Sequence, residues 1–143
     1  HNGILLAIII PSDYRKNGIS FFTPNELSQQ LAYMQHPQGH IIAPHIHNPV
    51  RREVRHTKEV LVLRRGKLRV DFYTDSREYI ESHILQSGDV ILLANGGHGF
   101  EGLEDVEMFE IKQGPYAGDS DKTRFDGITA KDVRLAAGSK GHA

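Results

Sequence analysis

The chain of 143 residues is 38% hydrophobic and 24% charged, enough for one domain with a packed core and too little for two. Seventeen Lys and Arg against eighteen Asp and Glu leave a formal net charge of -1, so no positive field recruits nucleic acid or an anionic membrane. Cysteine is absent, which excludes a disulfide framework, a zinc ribbon, an iron–sulfur cluster and a thiolate nucleophile; any metal must use His, Asp or Glu.

The most apolar run, Ile4 to Ile10, falls far short of the ~18 residues that cross a bilayer and reads as a strand ending at Pro11. Cytoplasm is the default expectation, with no membrane partner. Asn17-Gly18 signals a turn into Ile19-Thr23, which stops at Pro24. Asn25 to Leu31 has the cap and acidic first turn of a short helix. Gln30 to Gln35 reads as a strand running up to the Pro37-Gln38-Gly39 turn, and Ile41 to His47 as the next. Lys58 to Leu63 is the most apolar middle strand. Lys67 to Tyr73 alternates cleanly, with Leu68, Val70 and Phe72 on a core face and Arg69, Asp71 and Tyr73 on a face expected to be wet.

Thr74-Asp75-Ser76 turns the chain into Glu78 to Leu85, Ser87-Gly88-Asp89 leads into Val90 to Leu93, and Val106 to Lys112 supplies the last core strand. Strands joined by hairpin-length links predict an all-β fold, a jelly roll or comparable small β-barrel with at most one or two short helical turns. Residues 1–117 hold the barrel, with its N-terminal strand as an arm. Residues 118–143 have little to bury and read as a poorly ordered C-terminal tail. Edge strands of such barrels pair with a second copy, and the segment Ile4 to Phe22 is the expected arm of a homodimer.

The chemistry is concentrated in the histidines. There are nine, most of them between His36 and His98, and His45 and His47 stand one residue apart. On a strand alternate side chains share a face, so both imidazoles point the same way, roughly 6 to 7 Å apart at the backbone. If neighbouring antiparallel strands bring Glu59 and His98 beside them, the set becomes three His and one carboxylate. That mix suits a divalent Fe, Mn, Ni, Co or Zn ion with coordination positions left open. Glu53 is a rival carboxylate, and an ion pair with Arg64 or Arg65 is the competing role for Glu59. His56 and Tyr33 are the candidate proton-transfer residues. Arg51, Arg52 and Arg55 form either a cationic rim for an acidic substrate or a solvated loop.

The string Gly39-x5-His45-x-His47, then Glu59-x6-Gly66, then Gly88-x5-Ala94-x-Gly96 with His98, resembles the two sequence motifs of the cupin superfamily over roughly Gln30 to Lys112. That resemblance implies a cupin barrel and assigns the metal-ligand roles to His45, His47, Glu59 and His98. The chain departs from the pattern: eleven residues separate His47 from Glu59, Ala94 replaces a Pro, His98 comes one residue early relative to Gly96, and the Asn that often ends the second motif is absent. Lys67 to Tyr73, Gly96 to Phe100 and Lys112 to Tyr116 also look like a small group of stand-alone cupins linked with surface-carbohydrate biosynthesis.

A phosphate loop, a Gly-x-Ser-x-Gly elbow and a dinucleotide fingerprint are all missing. The expectation is therefore a metal-dependent enzyme acting on a small polar, sugar-like or acidic substrate by isomerase, epimerase or lyase chemistry. Two alternatives use the same barrel: a non-haem iron dioxygenase, and a non-catalytic module that binds a carbohydrate or other small molecule.

Overall fold

A computed structural model describes residues 1–137; residues 138–143, the end of the expected tail, lie outside the described residues. The strands in chain order are β1 (Ala7–Ile10), β2 (Gly18–Phe21), β3 (Ala32–Gln35), β4 (Glu59–Arg65), β5 (Lys67–Tyr73), β6 (Tyr79–Gln86), β7 (Val90–Leu93), β8 (Gly97–Gly102) and β9 (Glu107–Lys112). Two short 3₁₀ turns follow, at Gly118–Asp121 and Ala130–Asp132, and no α-helix occurs among the described residues. The architecture is all-β.

One sheet has the order β1-β7-β4-β9, a second the order β6-β5-β8, and β2 pairs only with β3; every pairing is antiparallel. From β4 onward the chain crosses repeatedly between the two main sheets, as β4, β7 and β9 belong to the first and the β5–β6 hairpin and β8 to the second. Leu61 and Leu63 of β4 and Ile91 and Leu93 of β7 meet Leu68, Val70 and Phe72 of β5 and Leu85 of β6 to form the core. Their burial is the main drive that holds the sheets together. The sheets do not close: β8 and β9 are both edge strands, and β9 leaves Met108, Phe109 and Ile111 exposed.

The link from β4 to β5 passes through Gly66 at φ +83°, where a Cβ would collide with the Asp105 carbonyl oxygen. Only glycine meets both demands. Gly66 therefore acts as a corner of the sandwich.

Ile41 to His47 is not a strand. All residues from 41 to 56 are exposed, and none belongs to a strand. Pro44 removes a backbone donor from the middle of the run, and no neighbouring strand supplies the partners that a lone extended segment needs. Conversely β8, which reads as a glycine-rich turn, is a strand. Its register with β5, with His98 opposite Phe72 and Gly97 opposite Tyr73, fixes a segment whose own propensity is poor. Asn25 to Leu31 forms a turn without a helix, because the Gln30 side-chain amide donates to the carbonyls of Pro24 (3.0 Å) and Leu27 (2.8 Å).

The face of β5 expected to be wet is covered. Arg69, Asp71 and Tyr73 are all buried. The Arg69 guanidinium donates to both oxygens of Asp71 (2.7 and 2.9 Å) and reaches Glu101 of β8 at 2.7 Å, while the Ser82 hydroxyl donates to Asp71. Tyr79 bonds Ser82 at 2.7 Å and accepts from the Arg134 amide at 2.9 Å. Residues 118–137, expected to form a poorly ordered tail, use this polar face as a seat. Ser82 exchanges backbone bonds with Arg134 and Ala136, Leu135 bridges β6 at Ser82, Phe125 packs edge-on against Tyr73, and the Ile128 amide donates to the Tyr73 hydroxyl. Few apolar contacts are involved; hydrogen bonds to a buried polar network hold the segment instead.

Burial pushes the Asp71 carboxyl up, but the bonds from Arg69 and Ser82 and the guanidinium charge outweigh it and hold the group below the ordinary aspartate value. A depressed folded-state value contributes stability above the unfolded pKa, and that contribution is lost as pH falls through the folded value. Asp71→Asn is thus expected to lower the unfolding free energy at pH 7 by roughly 1–3 kcal/mol and to flatten its decline in acid, as read by urea denaturation across pH. Leu85→Ala, at a fully buried position, should cost about 2–5 kcal/mol in the same measurement with no new pH dependence.

Candidate functional site

Glu59 opens β4 and His98 is the second residue of β8, so the two sit on facing sheets at the same end of the sandwich. Glu59 is held on both sides, by Leu93 of β7 and Lys112 of β9 in register. His98 shares the inward face of its sheet with Phe72, and its ring lies against Phe100 with centroids 5.3 Å apart. The imidazole Nε2 and the Glu59 Oε2 are 3.1 Å apart. With Glu59 ionised, Nε2–H is the donor, which leaves Nδ1 as the nitrogen available to a substrate.

The hydrogen bond from His98 is the main reason that the Glu59 carboxyl lies below the ordinary glutamate value. Burial opposes it, and the charges of His98, Lys122 and Lys112 add to it. The group is therefore a carboxylate at neutral pH, buried to 9% exposure, whereas the His98 side chain keeps 29% exposure toward solvent. A histidine that is fixed from behind by a carboxylate and open in front is suited to giving and taking protons.

In front of His98 lies a cavity of about 260 Å³ lined by His56, Thr57, Asp75, Asn95 and Asp121 among others. The Thr57 hydroxyl donates to Asp121 Oδ1 at 2.6 Å, which ties the 3₁₀ turn at Gly118–Asp121 across the mouth. Gly96 turns the chain between β7 and β8 at φ +76°, and a Cβ there would press on the Tyr73 carbonyl oxygen. The bare turn sets the start of β8 and with it the depth of His98.

Of the residues expected to form the site, His98 and His56 line this cavity, and Glu59 is joined to it through its contact with His98. His45 and His47 do not join them. Their rings are 5.1 Å apart on the exposed segment before β4, and His45 Nδ1 is bonded to the Ala43 carbonyl at 3.0 Å. Tyr33 is on β3, where its hydroxyl donates to Gln35 and its ring meets Tyr14, and it is not part of the cavity wall. Between the rival carboxylates the geometry is clear: Glu53 is exposed and accepts from Arg55 at 2.9 Å, while Glu59 faces His98. Arg64 lies over the Phe109 ring and Arg65 approaches Glu107, so neither takes Glu59 as its partner.

The donor chemistry of His45, His47, Glu59 and His98 suits a divalent ion, but their positions do not. They stand as two separate pairs, and no three His, Asp or Glu side chains among the described residues converge on one point. Asp75, Asp121 and Lys122 were not singled out by sequence reasoning. They lie in turns far along the chain from the histidine motif, and local spacing carries no signal for a contact such as Thr57 to Asp121.

The chain matches no family model, no curated protein and no solved structure. No helix among the described residues is long and apolar enough to cross a membrane.

Asp121→Ala, which removes the acceptor from Thr57, should free the strap over the mouth. Limited trypsin digestion is expected to cut after Lys122 or Arg124 several-fold faster than in the wild type, while cleavage after Arg69 stays negligible.

Proposed function

We propose that this chain is an enzyme that moves a proton on a small polar, sugar-like or acidic substrate, of the isomerase, epimerase or lyase class, with His98 as the acid–base group and Glu59 as the residue that orients it. The observation that carries the reading is the 3.1 Å contact between a buried carboxylate and a half-open imidazole facing a polar cavity. Such a base removes a proton from carbon next to a carbonyl or returns one to it, and His56 in the same wall would be its partner in proton transfer. Around His98 the cavity is lined by carboxylates and an amide, which match hydroxyl groups better than hydrocarbon.

The test is proton exchange in D₂O, followed by NMR over a panel of aldoses, ketoses and sugar acids. The expected result is loss of a carbon-bound proton signal beside the carbonyl of one of them, with the rate reduced about 10²–10⁴-fold in His98→Gln and lowered also in Glu59→Gln. No exchange with any member, alongside measurable binding, would replace the enzyme with a non-catalytic carbohydrate-binding barrel.

A second reading, the metal-binding cupin barrel, is favoured by the repeated crossing of β4 to β9 between two sheets, which suits a jelly roll lacking one strand on each open edge. Beside His98, the edge of β8 is unpaired, and the unpaired segment 41–47 carries both remaining histidines with Ile41, Ile42 and Ile46 exposed. Pairing of that segment on β8 would gather the three His and Glu59. Calorimetric titration with Mn(II), Fe(II), Co(II), Ni(II) or Zn(II) tests it: the His45→Ala/His47→Ala double variant is expected to lose at least about tenfold in affinity. Equal affinity in both proteins would sink it, and oxygen uptake by the Fe(II) form would move the chemistry to a dioxygenase. The same reading includes a homodimer, supported by the bare apolar edge of β9 and tested by sedimentation.

A further inference from the structure

His98 stands in the wall of two openings, and they differ in charge. One is the cavity described above, where Asp75 and Asp121 supply carboxylates. The other, of about 410 Å³, lies between the Gly96–Gly99 turn and residues Lys122 to Phe125, with Tyr73 and Phe125 as aromatic walls. Lys122 and Arg124 are the charged residues lining it, and both are cations.

Lys122 makes no ion pair among the described residues, although it lies near enough to Glu59 for its charge to be felt there. Arg124 touches only Asp119, at 3.8 Å, with both side chains largely exposed. Lys122 is thus unpaired among the described residues, and the contact that Arg124 makes is long and exposed enough to yield to a ligand. The floor of this opening is bare glycine, and a Cβ on Gly97 would already reach 3.1 Å from the Phe125 ring and 3.3 Å from Tyr73 Cβ. The space is held open by the missing side chain.

From this juxtaposition we infer that the glycine-floored opening is a subsite for the anionic group, carboxylate or phosphate, of a polyhydroxylated substrate whose hydroxyl-bearing end lies toward Asp75 and Asp121. The inference rests on the proposed role of His98 only in placing the reacting carbon between the two ends. Charge alone orients the molecule, because an anion is attracted by Lys122 and Arg124 and repelled by the two aspartates. The arginines of the preceding loop are not needed for this. Arg55 is turned to Glu53, and neither Arg51 nor Arg52 lines either opening. The substrate class narrows to sugar acids and sugar phosphates.

Inorganic phosphate, acetate and D-gluconate titrated into the isotopically labelled full chain, with NaCl as the ionic-strength control, give the test by NMR. Saturable shifts are expected at the Gly97, Gly99 and Thr123 amides with phosphate or with acetate, the stronger of the two identifying the anion. Lys122→Gln/Arg124→Gln should weaken that binding about tenfold or more, and D-gluconate should bind more tightly than acetate. His98→Gln should keep the phosphate affinity within about twofold. Absence of saturable shifts, shifts centred on Arg51 and Arg52, or unchanged affinity in the double variant would overturn the subsite. If His98→Gln retains proton exchange while phosphate still saturates Gly97 and Gly99, the catalytic role fails and the subsite stands.

Discussion

A buried carboxylate is costly unless something donates to it, and Glu59 finds its donor across the gap between two sheets. That requirement links features which otherwise look independent. β4 must begin its buried run at the sandwich mouth, β8 must pair with β5 in the one register that turns His98 inward, and Gly96 must let the chain turn tightly enough to start β8 there. A shift of one residue in β8 would send the imidazole to the other face of the sheet and leave Glu59 buried without its donor.

The second sheet obeys a related constraint on its other side. Alternation along β5 puts Leu68, Val70 and Phe72 in the core and forces Arg69, Asp71 and Tyr73 to the opposite face. Charged groups on such a face are usually left to water. Here Arg69 and Asp71 satisfy one another in a fork, Ser82 and Tyr79 extend the network, and the segment around Arg134 completes it with backbone groups. The last described residues thus settle on polar bonds, and the chain between them and β9 crosses the mouth beside His98.

Much of this was legible in the residues themselves. β-branched and aromatic runs bounded by glycine turns located β1 to β7 and β9, and the spacing from Glu59 to Gly66 pointed to the carboxylate that lies opposite His98, ahead of the exposed Glu53. What failed did so for identifiable reasons. The run Ile41 to His47 has strand composition, but a strand exists only through its partner, and none lies beside it. β8 has the composition of a turn and is a strand because β5 offers it a ladder. The low apolar content after Gly118 suggested a chain with nothing to bury, and did not register that hydrogen-bonding groups can seat a segment equally well. The likeness to the cupin motifs rests on four residues, two of which, His45 and His47, stand apart in space from Glu59 and His98.

The bond from Thr57 to Asp121 joins residues 64 positions apart, and the one from Tyr79 to Arg134 spans 55. In chain order the core strands all precede the residues that roof the mouth. The contact between His98 and Glu59 is made by the strands alone, and its enclosure is supplied by chain that follows them. A chain shortened before Gly118 would leave the imidazole and its carboxylate in plain contact with bulk water, so the stretch after β9 decides what that pair is allowed to touch.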